Sequence, residues 1–465
     1  MNYVEIVNLV FDIIFGIYSL LMIHFAIFFV VGIFKKKKYP QTKVINKYGI
    51  IIPARNEELV VGNLIESIQK CNYPQDKLQI FVIAHNCTDK TAEVARKYGV
   101  TVYEYNNPNE CTMGFAFKYL FEQIERDYKT SSYDGFFLFN ADNVVDENYF
   151  NKMNDAFEYW GHKCVVTSFR NSKNWGSNLI SSLYGIYFAV GCIFESRGRT
   201  LLGCSTRVQG TGYVISSNLV KNGWPYTTLT EDWEFTADQI IAGNKIKYCD
   251  EAVFYDEQPT NLHIMWRQRV RWARGHLLVF YARTIDLIKK IFSKKHGNKF
   301  SLYDFLTNIL PFCLILFGLK LIQLILMSIG PLIFNDVSFE NIFLGMGYEL
   351  SSFGSFIAPI FGGEQGLRDT FGSFFNLFFN NGYLWAFTRS IFIYSIGCFL
   401  WVWLIYFLER KRIKNVSFGI KLLSSIFWPL FLFIQFVIDI QALFSRNLGW
   451  KPIPHDDKTR IHNLK

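Results

Sequence analysis

Long apolar stretches on both sides of a polar middle region constrain this chain most. They lie at residues 7–34, 303–334, 389–408 and 418–442. A helix that crosses a bilayer needs about 20 mainly apolar residues, and each stretch is long enough. The first one is interrupted only by Asp12 and His24 and lacks a basic segment in front of it, so we interpret it as an anchor and not as a cleaved signal peptide. The sequence therefore predicts a multi-pass membrane protein with a folded domain between the stretches.

Basic clusters at the ends of the apolar stretches predict the topology. Lys35 to Lys38 follow the first stretch directly, which places the chain after them in the cytosol, and Glu409 to Lys414 mark a second cytosolic turn. The net charge of +9 is modest and its clusters flank apolar stretches, so it indicates membrane topology and no nucleic-acid partner. Nine cysteines without a CxxC pair fit a reducing cytosol. We expect a plasma-membrane protein whose middle domain is cytosolic.

The number of membrane spans stays open at this stage. Either 303–334 is a hairpin, or 351–388 adds a span or re-entrant piece, or 418–442 does not cross simply. The segment 273–295 has apolar residues on one side and charged residues on the other, which predicts an amphipathic helix in the cytosolic interface or an ordinary surface helix. We expect five parts: a membrane helix at 1–40, a cytosolic domain at 41–272, the interface helix at 273–300, membrane helices at 301–445 and a tail at 446–465.

The cytosolic domain alternates short apolar runs with helical patterns. We predict strands at Tyr48–Pro53, Gln79–Ala84, Thr101–Tyr105, Gly135–Asn140 and Lys163–Ser168, and helices at 58–70, 90–98 and 113–127. This alternation predicts an α/β fold with a mostly parallel sheet and helices on both faces. Ligands bind at the carboxyl ends of such strands. Asn56 with Glu57, Asn86 to Asp89, and Asp142 follow the first, second and fourth strands.

Two motifs further along suggest transfer of a sugar from a nucleotide sugar. Thr230-Glu231-Asp232 offers an acidic residue that can act as a general base. The second motif, Gln268-x-x-Arg271-Trp272, comes just before the membrane region. Arginine donates bidentately to phosphate oxygens, and tryptophan offers a flat apolar face to a sugar ring. Either motif alone is weak, whereas the ordered pair is specific.

The order of the motifs resembles that of the inverting family-2 glycosyltransferases. Within that family it is similar to the processive membrane synthases of cellulose, hyaluronan, chitin and poly-N-acetylglucosamine. The residues that carry the resemblance are Ile52 to Glu58, Asn86 to Thr91, Ala141 to Asn143, Gln209 to Gly212, Thr230 to Asp232 and Gln268 to Trp272. The tail Trp450 to His455 also looks like that of bacterial members. The resemblance implies a GT-A-type domain inserted between transmembrane helices.

The resemblance also implies a role for each site residue. Asp232 would be the catalytic base, flanked by Thr230 and Glu231, and Asp142 with Asn140 would hold Mg²⁺ or Mn²⁺, which prefer oxygen ligands. The nucleotide-sugar donor and the acceptor would be bound by Pro53, Arg55, Asn56, Glu57, His85, Asn86, Asp89, Gly210, Thr211, Gly212, Gln268, Arg271 and Trp272. Trp272 would stack on the acceptor sugar.

Three positions depart from the family pattern, and each bears on binding of the nucleotide or diphosphate. His85 stands where relatives commonly have Asp, Asn140 stands at the first position of the usual Asp-x-Asp motif, and Met113 stands where a Lys is common. For His85 alone, a loop histidine without essential chemistry is the simpler interpretation. A single carboxylate can suffice for a hard cation that keeps water and phosphate as ligands.

We expect a processive synthase that makes a β-glycan and carries it across the membrane. The expected donor is UDP-glucose, giving a cellulose-like or mixed-linkage glucan, and UDP-N-acetylglucosamine with a chitin-like or hyaluronan-like product is the first alternative. A single-transfer enzyme that glycosylates a lipid and a non-enzymatic relative that senses nucleotides remain open. The expected partners are the donor, the growing polysaccharide and membrane lipids, and the oligomeric state is not predicted.

Overall fold

The computed structural model describes residues 3–294, 298–334, 382–445 and 452–463. The chain forms two compact units. The first consists of Met1–Ile23, Phe312–Phe407 and Leu422–Phe436, and the second of His24–Pro311, Leu408–Lys421 and Val437–Lys465. Every candidate site residue lies in the second unit.

The second unit contains one sheet of eight strands. In chain order the strands are β1 (Tyr48–Ala54), β2 (Leu78–His85), β3 (Thr101–Tyr105), β4 (Gly135–Leu138), β5 (Val144–Val145), β6 (Cys164–Ser172), β7 (Tyr213–Ser216) and β8 (Lys245–Asp256). All five predicted strands are present, and β5, β7 and β8 are additional. Their lateral order is β3-β2-β1-β4-β7-β6-β8-β5.

Fourteen α-helices are described across the two units. They are α1 (Tyr3–Phe34), α2 (Val61–Gln69), α3 (Thr91–Arg96), α4 (Met113–Asp127), α5 (Tyr149–Trp160), α6 (Leu179–Val190), α7 (Gly198–Leu201), α8 (Ser217–Val220), α9 (Glu231–Ala242), α10 (Leu262–Phe292), α11 (Lys299–Ile309), α12 (Phe312–Phe334), α13 (Gly382–Leu408) and α14 (Phe418–Phe444). A π-helical turn, Gly191–Arg197, joins α6 to α7.

Strand pairing in the sheet is mixed. The pairs β1/β2, β2/β3, β1/β4 and β6/β8 are parallel, whereas β4/β7, β6/β7 and β5/β8 are antiparallel. Four of the seven pairings are therefore parallel, in line with the predicted α/β class. Because β1, β2 and β4 are neighbours and parallel, the loops that follow them meet at one edge of the sheet.

Helices cover both faces of the sheet and bury two apolar layers. On one face Leu64 and Phe157 pack with Tyr48 of β1, and all three are fully buried. On the other face Phe117 and Phe235 pack with Phe81 of β2. Burial of a large apolar side chain stabilises a fold by about 1.5–3 kcal/mol, so these layers hold the strand ends in place.

Three of the predicted apolar stretches form helices that meet the length and hydropathy needed to cross a membrane. They are Glu5–Phe34, Ile391–Leu408 and Phe418–Phe444. A fourth such helix, Leu179–Leu201, is 72% buried inside the protein and so packs largely against other parts of the chain. The apolar stretch 303–334 is divided between two helices, because α11 ends at Ile309 and α12 begins at Phe312, with Pro311 unable to donate a backbone hydrogen bond. Residues 335–381, which include most of 351–388, lie outside the described residues.

The predicted start of the amphipathic helix at residue 273 is wrong. Helix α10 begins at Leu262, where the side chain of Asn261 accepts hydrogen bonds from the backbone N–H groups of His263 and Ile264. No proline interrupts the chain between Asn261 and Phe292, so Gln268 to Trp272 lie within the helix and not before it. Its far end is amphipathic, with Leu287 buried and Lys289 and Lys290 exposed.

Candidate active site

Asp232 lies in the first turn of helix α9, where the helix dipole stabilises a negative charge. Its carboxylate faces the loop at Gly210, since a Cβ added to that glycine would stand 3.6 Å from Asp232 Oδ2. Gly210 and Gly212 both have positive φ values, 78° and 68°. At Gly212 a side chain would also collide with the ring of Phe254. The sequence Gln209-Gly210-Thr211-Gly212 therefore allows a close approach of backbone to the candidate base.

Glu231 is buried and the neighbouring Asp232 is half-buried, and the charges of their carboxyl groups act on each other. Burial raises the pKa of both groups, and repulsion from Asp232 adds to the rise for Glu231, whose pKa reaches about 8. The guanidinium groups of Arg207 and Arg271 oppose the rise for Asp232, with Arg207 having the larger effect. Both cations therefore favour the ionised form of Asp232, the form that a general base needs.

Arg207 was not among the residues predicted for the site. Its Nε atom lies 3.1 Å from Glu195 Oε2, and its guanidinium lies 4.7 Å above the ring of Trp233, the residue that follows Asp232. The only sequence signal for it is its position just before the Gln209 to Gly212 loop.

Helix α10 brings the Gln268-x-x-Arg271-Trp272 motif onto the loop before α9. Arg271 donates a hydrogen bond to the carbonyl oxygen of Leu229 at 2.8 Å. Gly275 lets the two elements touch, because a Cβ there would stand 2.3 Å from Thr230 Cγ2. The side-chain oxygens of Thr230 and Gln268 are buried without a hydrogen-bond partner among the described residues. Such atoms are rare in proteins and are consistent with a polar ligand at this point.

Trp272 forms one wall of an aromatic cluster with two residues of helix α6. Its ring centroid lies 6.1 Å from those of Tyr184 and Phe188 on helix α6. The guanidinium of Arg170 lies 3.6 Å from the centroid of Phe188 and donates to Asp256 Oδ2 at 2.6 Å. Aromatic faces of this kind pack against the apolar faces of sugar rings. Tyr184, Phe188 and Arg170 were missed by the sequence reasoning, since aromatic residues on an apolar helix predict only core packing.

Asp142 follows strand β4 and is almost fully buried. Its Oδ1 accepts from Asn143 Nδ2 at 3.1 Å and its Oδ2 from the backbone N–H of Glu257 at 2.9 Å. The backbone N–H of Asn140 donates to Thr211 Oγ1 at 2.9 Å, while Asn140 Oδ1 is buried without a partner among the described residues. Asn140, the second predicted metal ligand, is thus hydrogen-bonded to the loop that runs from Gly210 to Gly212.

Asp142 and Asn140 provide some of the oxygen ligands that a hard divalent cation needs, but not a complete set. The Asp142 carboxylate and the unpartnered Asn140 carbonyl are oxygen ligands of the type that Mg²⁺ and Mn²⁺ prefer. Within the described ranges no three His, Cys, Asp or Glu side chains converge as a ligand set. A cation here would therefore draw its other ligands from water and from substrate phosphate, as Mg²⁺ commonly does.

Two further acidic residues and a histidine surround Asp142. Burial raises the pKa of Asp256 to about 6, with the charge of Asp142 adding to the rise. Burial acts against the charge on His455, but Asp142 and Glu57 together raise the pKa of its imidazole to about 10. Burial also raises the pKa of Glu57, which the imidazolium of His455 opposes. His455 thus carries a positive charge inside an acidic cluster.

The loops after β1 and β2 are joined by hydrogen bonds among the predicted donor residues. The backbone N–H of Thr88 donates to Asn56 Oδ1 at 2.8 Å, and that of Glu58 donates to Asp89 Oδ2 at 3.1 Å. Asn56 and Asn86 have φ values of 59° and 51°, a conformation that asparagine tolerates better than most residues. Pro53 lies within β1, and Arg55 Nη1 donates to the carbonyl of Cys111 at 3.4 Å.

His85 is the last residue of β2 and is buried, so the interpretation as a loop histidine is wrong. Its Nε2 lies 2.7 Å from the carbonyl oxygen of Glu110, and its ring stacks on Tyr105 at 5.6 Å. Tyr105 in turn stacks on Tyr119 at 4.3 Å. Burial lowers the pKa of His85, so its imidazole is neutral near pH 7. Met113, the third departure, begins helix α4 nearby in the chain.

The comparisons with known proteins identify the class of the domain that carries these residues. Residues 46–275 match the family model described as "Glycosyltransferase like family 2". The chain is 27% identical over 262 residues to "Probable glycosyltransferase YdaM" of Bacillus subtilis, which covers 53% of this chain and 60% of that protein. It is 26% identical over 278 residues to the poly-beta-1,6-N-acetyl-D-glucosamine synthase of Staphylococcus aureus, covering 57% and 62%. The chain thus aligns with less than two thirds of each relative.

Among solved structures, the fold is similar to that of the mannosyltransferase PcManGT from Pyrobaculum calidifontis, solved in complex with GDP-Man and Mn²⁺. The TM-score is 0.52 at 13% identity, covering 75% of this chain and 92% of that one. This identity shows the fold alone, and it confirms the predicted GT-A-type class. The domain at residues 46–275 is thus a glycosyltransferase domain that is similar to those of family 2.

Proposed function

We propose that the chain is an inverting glycosyltransferase of the membrane that adds sugars one after another to a growing β-linked polysaccharide. The observation that carries the proposal is the position of Asp232. It lies in the first turn of α9, directly after the loop to which Arg271 donates a hydrogen bond. The next residue is Trp233, and the guanidinium of Arg207 lies over its ring.

The proposed reaction is a single displacement. Asp232 accepts the proton of an acceptor hydroxyl as that oxygen forms a bond to the anomeric carbon of the donor. The bond from the anomeric carbon to the diphosphate oxygen breaks, and the nucleoside diphosphate leaves. Attack opposite the leaving group inverts the anomeric centre, so an α-linked donor gives a β-linkage. Gln268 and Arg271 would orient the donor, and Trp272 would stack on the acceptor.

We expect the leaving diphosphate to need a divalent cation. Asp142 and Asn140 are the residues that would hold it, and the cation would offset the negative charge that develops on the leaving group. Asp142 is kept in place by its hydrogen bond from the backbone of Glu257, and Thr211 fixes the backbone at Asn140.

Two contacts favour a polymer acceptor at the membrane over a soluble one. On helix α10, which carries the Gln268 to Trp272 motif, Trp266 Nε1 donates to Gln441 Oε1 at 2.7 Å, and Arg274 Nη1 donates to the carbonyl of Ala442 at 3.4 Å. Both acceptors lie in the last turns of the apolar helix α14. An acceptor beside Trp272 would therefore lie close to that helix end. We propose that the same chain also exports the polymer, with the catalytic domain in the cytosol.

For the donor, we propose UDP-N-acetylglucosamine first and UDP-glucose second. The sequence alone favours glucose, but no residue decides between the two sugars. The similarity to a poly-beta-1,6-N-acetyl-D-glucosamine synthase gives N-acetylglucosamine the better support. The buried His85 stands where relatives commonly have an acidic residue, which weakens the expectation that the donor carries uracil. GDP-sugars are therefore included in the same test.

The test is incubation of the purified full-length protein, reconstituted in sealed vesicles, with a panel of radiolabelled UDP- and GDP-sugars. We expect one donor to give a product that is too large to enter a polyacrylamide gel and that a linkage-specific glycanase cleaves. A labelled product that extracts into organic solvent as a single glycolipid would contradict processive synthesis and favour a single-transfer enzyme. Polymer found wholly on the donor side would contradict export.

A further inference from the structure

Arg207, close to the candidate base, is held by an acidic residue that lies outside every predicted motif. Its Nε atom lies 3.1 Å from Glu195 Oε2, and its guanidinium lies 4.7 Å from the centre of the Trp233 ring. Trp233 directly follows Asp232 in the first turn of α9. The loop after Arg207 also reaches the base, since a Cβ added to Gly210 would stand 3.6 Å from Asp232 Oδ2. Arg207 thus connects Glu195 to the turn that carries the candidate base.

Glu195 lies in the π-helical turn Gly191–Arg197, between α6 and α7. Turns of this kind are rare and occur frequently at functional sites. The side chain is half-buried, and its Oε2 also lies 3.9 Å from Arg199 Nη1, so the contact with Arg207 is the closer of the two ion pairs. Solvent screens a partly buried pair less than an exposed one. The carboxylate is therefore well placed to hold the Arg207 guanidinium.

Arg199, the other cation near Glu195, is fixed by a buried partner of its own. Its Nε and Nη2 atoms donate to the two carboxylate oxygens of Asp304 at 2.7 Å and 2.9 Å. Bidentate pairs of this kind fix orientation as well as charge. On helix α1, His24 Nε2 lies 3.3 Å from Asp304 Oδ1. Because Asp304 holds Arg199, the carboxylate of Glu195 is left to Arg207.

We propose that Glu195 is a positioning residue for the candidate base, because its carboxylate holds the guanidinium of Arg207 over Trp233 and so beside Asp232. The inference rests on the proposed function, since it concerns the base of that reaction. In this role Glu195 touches neither the substrate nor the base and acts through Arg207. The chain of paired side chains then runs from His24 of the apolar helix α1 to the candidate active site.

The role of Glu195 predicts the direction of a change in pH dependence. The ionisable groups that interact with the carboxyl of Asp232 are Glu231 beside it, Tyr213 on β7, Arg271 on α10 and Arg207. The two arginines favour the ionised form, and Arg207 has the larger effect. Movement of Arg207 away from the base should therefore raise the pKa of Asp232. A carboxylate that acted directly would have the opposite effect on removal, because loss of a negative charge lowers the pKa of a neighbouring acid.

The test is the pH–rate profile of sugar transfer by the full-length protein in detergent, with the donor that the radiolabelled panel identifies. We expect E195A to move the acid limb up by about half a pH unit, since Arg207 is released but still present. E195Q keeps an oxygen that accepts from Arg207, so its limb should lie between those of E195A and the wild type. The matched control is E93A, which removes an exposed carboxylate on α3 and should keep the wild-type limb.

The double variant E195A/R207A decides whether Glu195 acts through Arg207. Without Arg207, the loss of Glu195 should shift the limb no further than R207A does alone, because the two side chains act as one unit. An additional shift in the double variant overturns the proposal. A limb that stays at its wild-type pH in E195A overturns it in favour of a structural role. A limb that moves down in E195A overturns it in favour of a direct effect of the Glu195 charge.

Thermal unfolding of the same four proteins tests the contact without any need for activity. The two substitutions should affect the midpoint by less together than the sum of their separate effects, and additive effects would overturn the contact on which the role depends. A wild type that transfers no sugar from any donor overturns the proposed function and the role of Glu195 with it. An active wild type with an unshifted limb in E195A overturns the role of Glu195 alone.

Discussion

Arg271 donates a hydrogen bond to the carbonyl oxygen of Leu229, 2.8 Å away, and so ties the Gln268 to Trp272 motif to the loop that carries the candidate base. Two motifs that are far apart in sequence thus form one structural unit. The same guanidinium acts on the charge of Asp232, whose pKa burial raises and the arginine lowers. A change on helix α10 should therefore affect both the geometry and the protonation of the base.

Replacement of Asp232 by Asn should remove transfer while nucleotide binding survives. The amide has nearly the same shape but cannot accept the proton of the acceptor hydroxyl, and general-base catalysis contributes about 10²–10⁴-fold in rate. The measurement is kcat for sugar transfer, with UDP affinity in parallel. Asp76→Asn, at an exposed position away from the site, is the matched control. A variant within tenfold of the wild type would remove Asp232 from the mechanism.

Replacement of Arg207 by Ala should shift the acid limb of the pH–rate profile to higher pH. Arg207 lowers the pKa of Asp232 against the effect of burial, and Arg271 lowers it to a smaller extent. Without Arg207 the pKa of Asp232 rises, so the ionised base is lost at a higher pH as the solution is acidified. The shift should be on the order of one pH unit. Arg207→Lys keeps the charge and should leave the limb close to that of the wild type, and equal shifts in both variants would mean that Arg207 acts through packing alone.

The sequence predicted the strands that carry the donor loops, because β1 and β2 are continuous apolar runs followed by polar turns. It did not predict β8, Lys245–Asp256, whose run is interrupted by Asp250 and Glu251. Asp250 is buried there because Arg197 and Arg412 pair with it at 2.5 Å and 3.0 Å. Partners so distant in sequence leave no local pattern that could be recognised.

The same limit applies to the site. Motif order predicts Asp232, Asp142 and Arg271 as site residues, and their roles stay predictions. His455 could not be predicted as a partner of Glu57, since 398 residues separate them. The start of α10 was placed too late because its polar residues near Gln268 face buried polar surroundings, which an amphipathic pattern does not describe.

Replacement of Trp272 by Ala should shorten the product and leave donor affinity nearly unchanged. The ring packs with Tyr184 and Phe188 in the aromatic cluster, so its loss removes a surface for the acceptor sugar but no candidate phosphate ligand. A pair of aromatic rings in contact is worth about 0.5–1.5 kcal/mol, and a similar contribution from a sugar on Trp272 predicts a several-fold rise in release of short chains. Product length on a gel is the measurement, and Tyr159→Ala, on an exposed aromatic residue, is the control. Unchanged chain length would place the acceptor elsewhere.

Replacement of Gly275 by Ala should destabilise the protein and reduce activity together. The added Cβ would stand 2.3 Å from Thr230 Cγ2, so α10 would have to move away from the loop before Asp232. Overpacking of this kind typically costs about 1–3 kcal/mol. Gly397→Ala is the control, because it also lies in a helix and no atom would come within 4 Å of its Cβ. The midpoint of thermal unfolding reports the difference, and equal midpoints for the two variants would contradict the close approach.

Replacement of Asn140 by Asp should tighten the binding of Mn²⁺. Asn140 Oδ1 is buried without a partner among the described residues, and a carboxylate there would give a cation a second charged oxygen ligand beside Asp142. Without metal, the same change buries an unpaired charge next to carboxylates, so it should lower the midpoint of thermal unfolding. Added Mn²⁺ should then raise the midpoint more in the variant than in the wild type, because a ligand that binds only the folded state stabilises it.

Asp146→Asn, which changes charge outside the site, is a control for general electrostatic effects. Equal responses to Mn²⁺ in Asn140→Asp and the wild type, together with full wild-type activity in EDTA, would mean that this region binds no catalytic cation and that the diphosphate leaves with the help of protein groups alone.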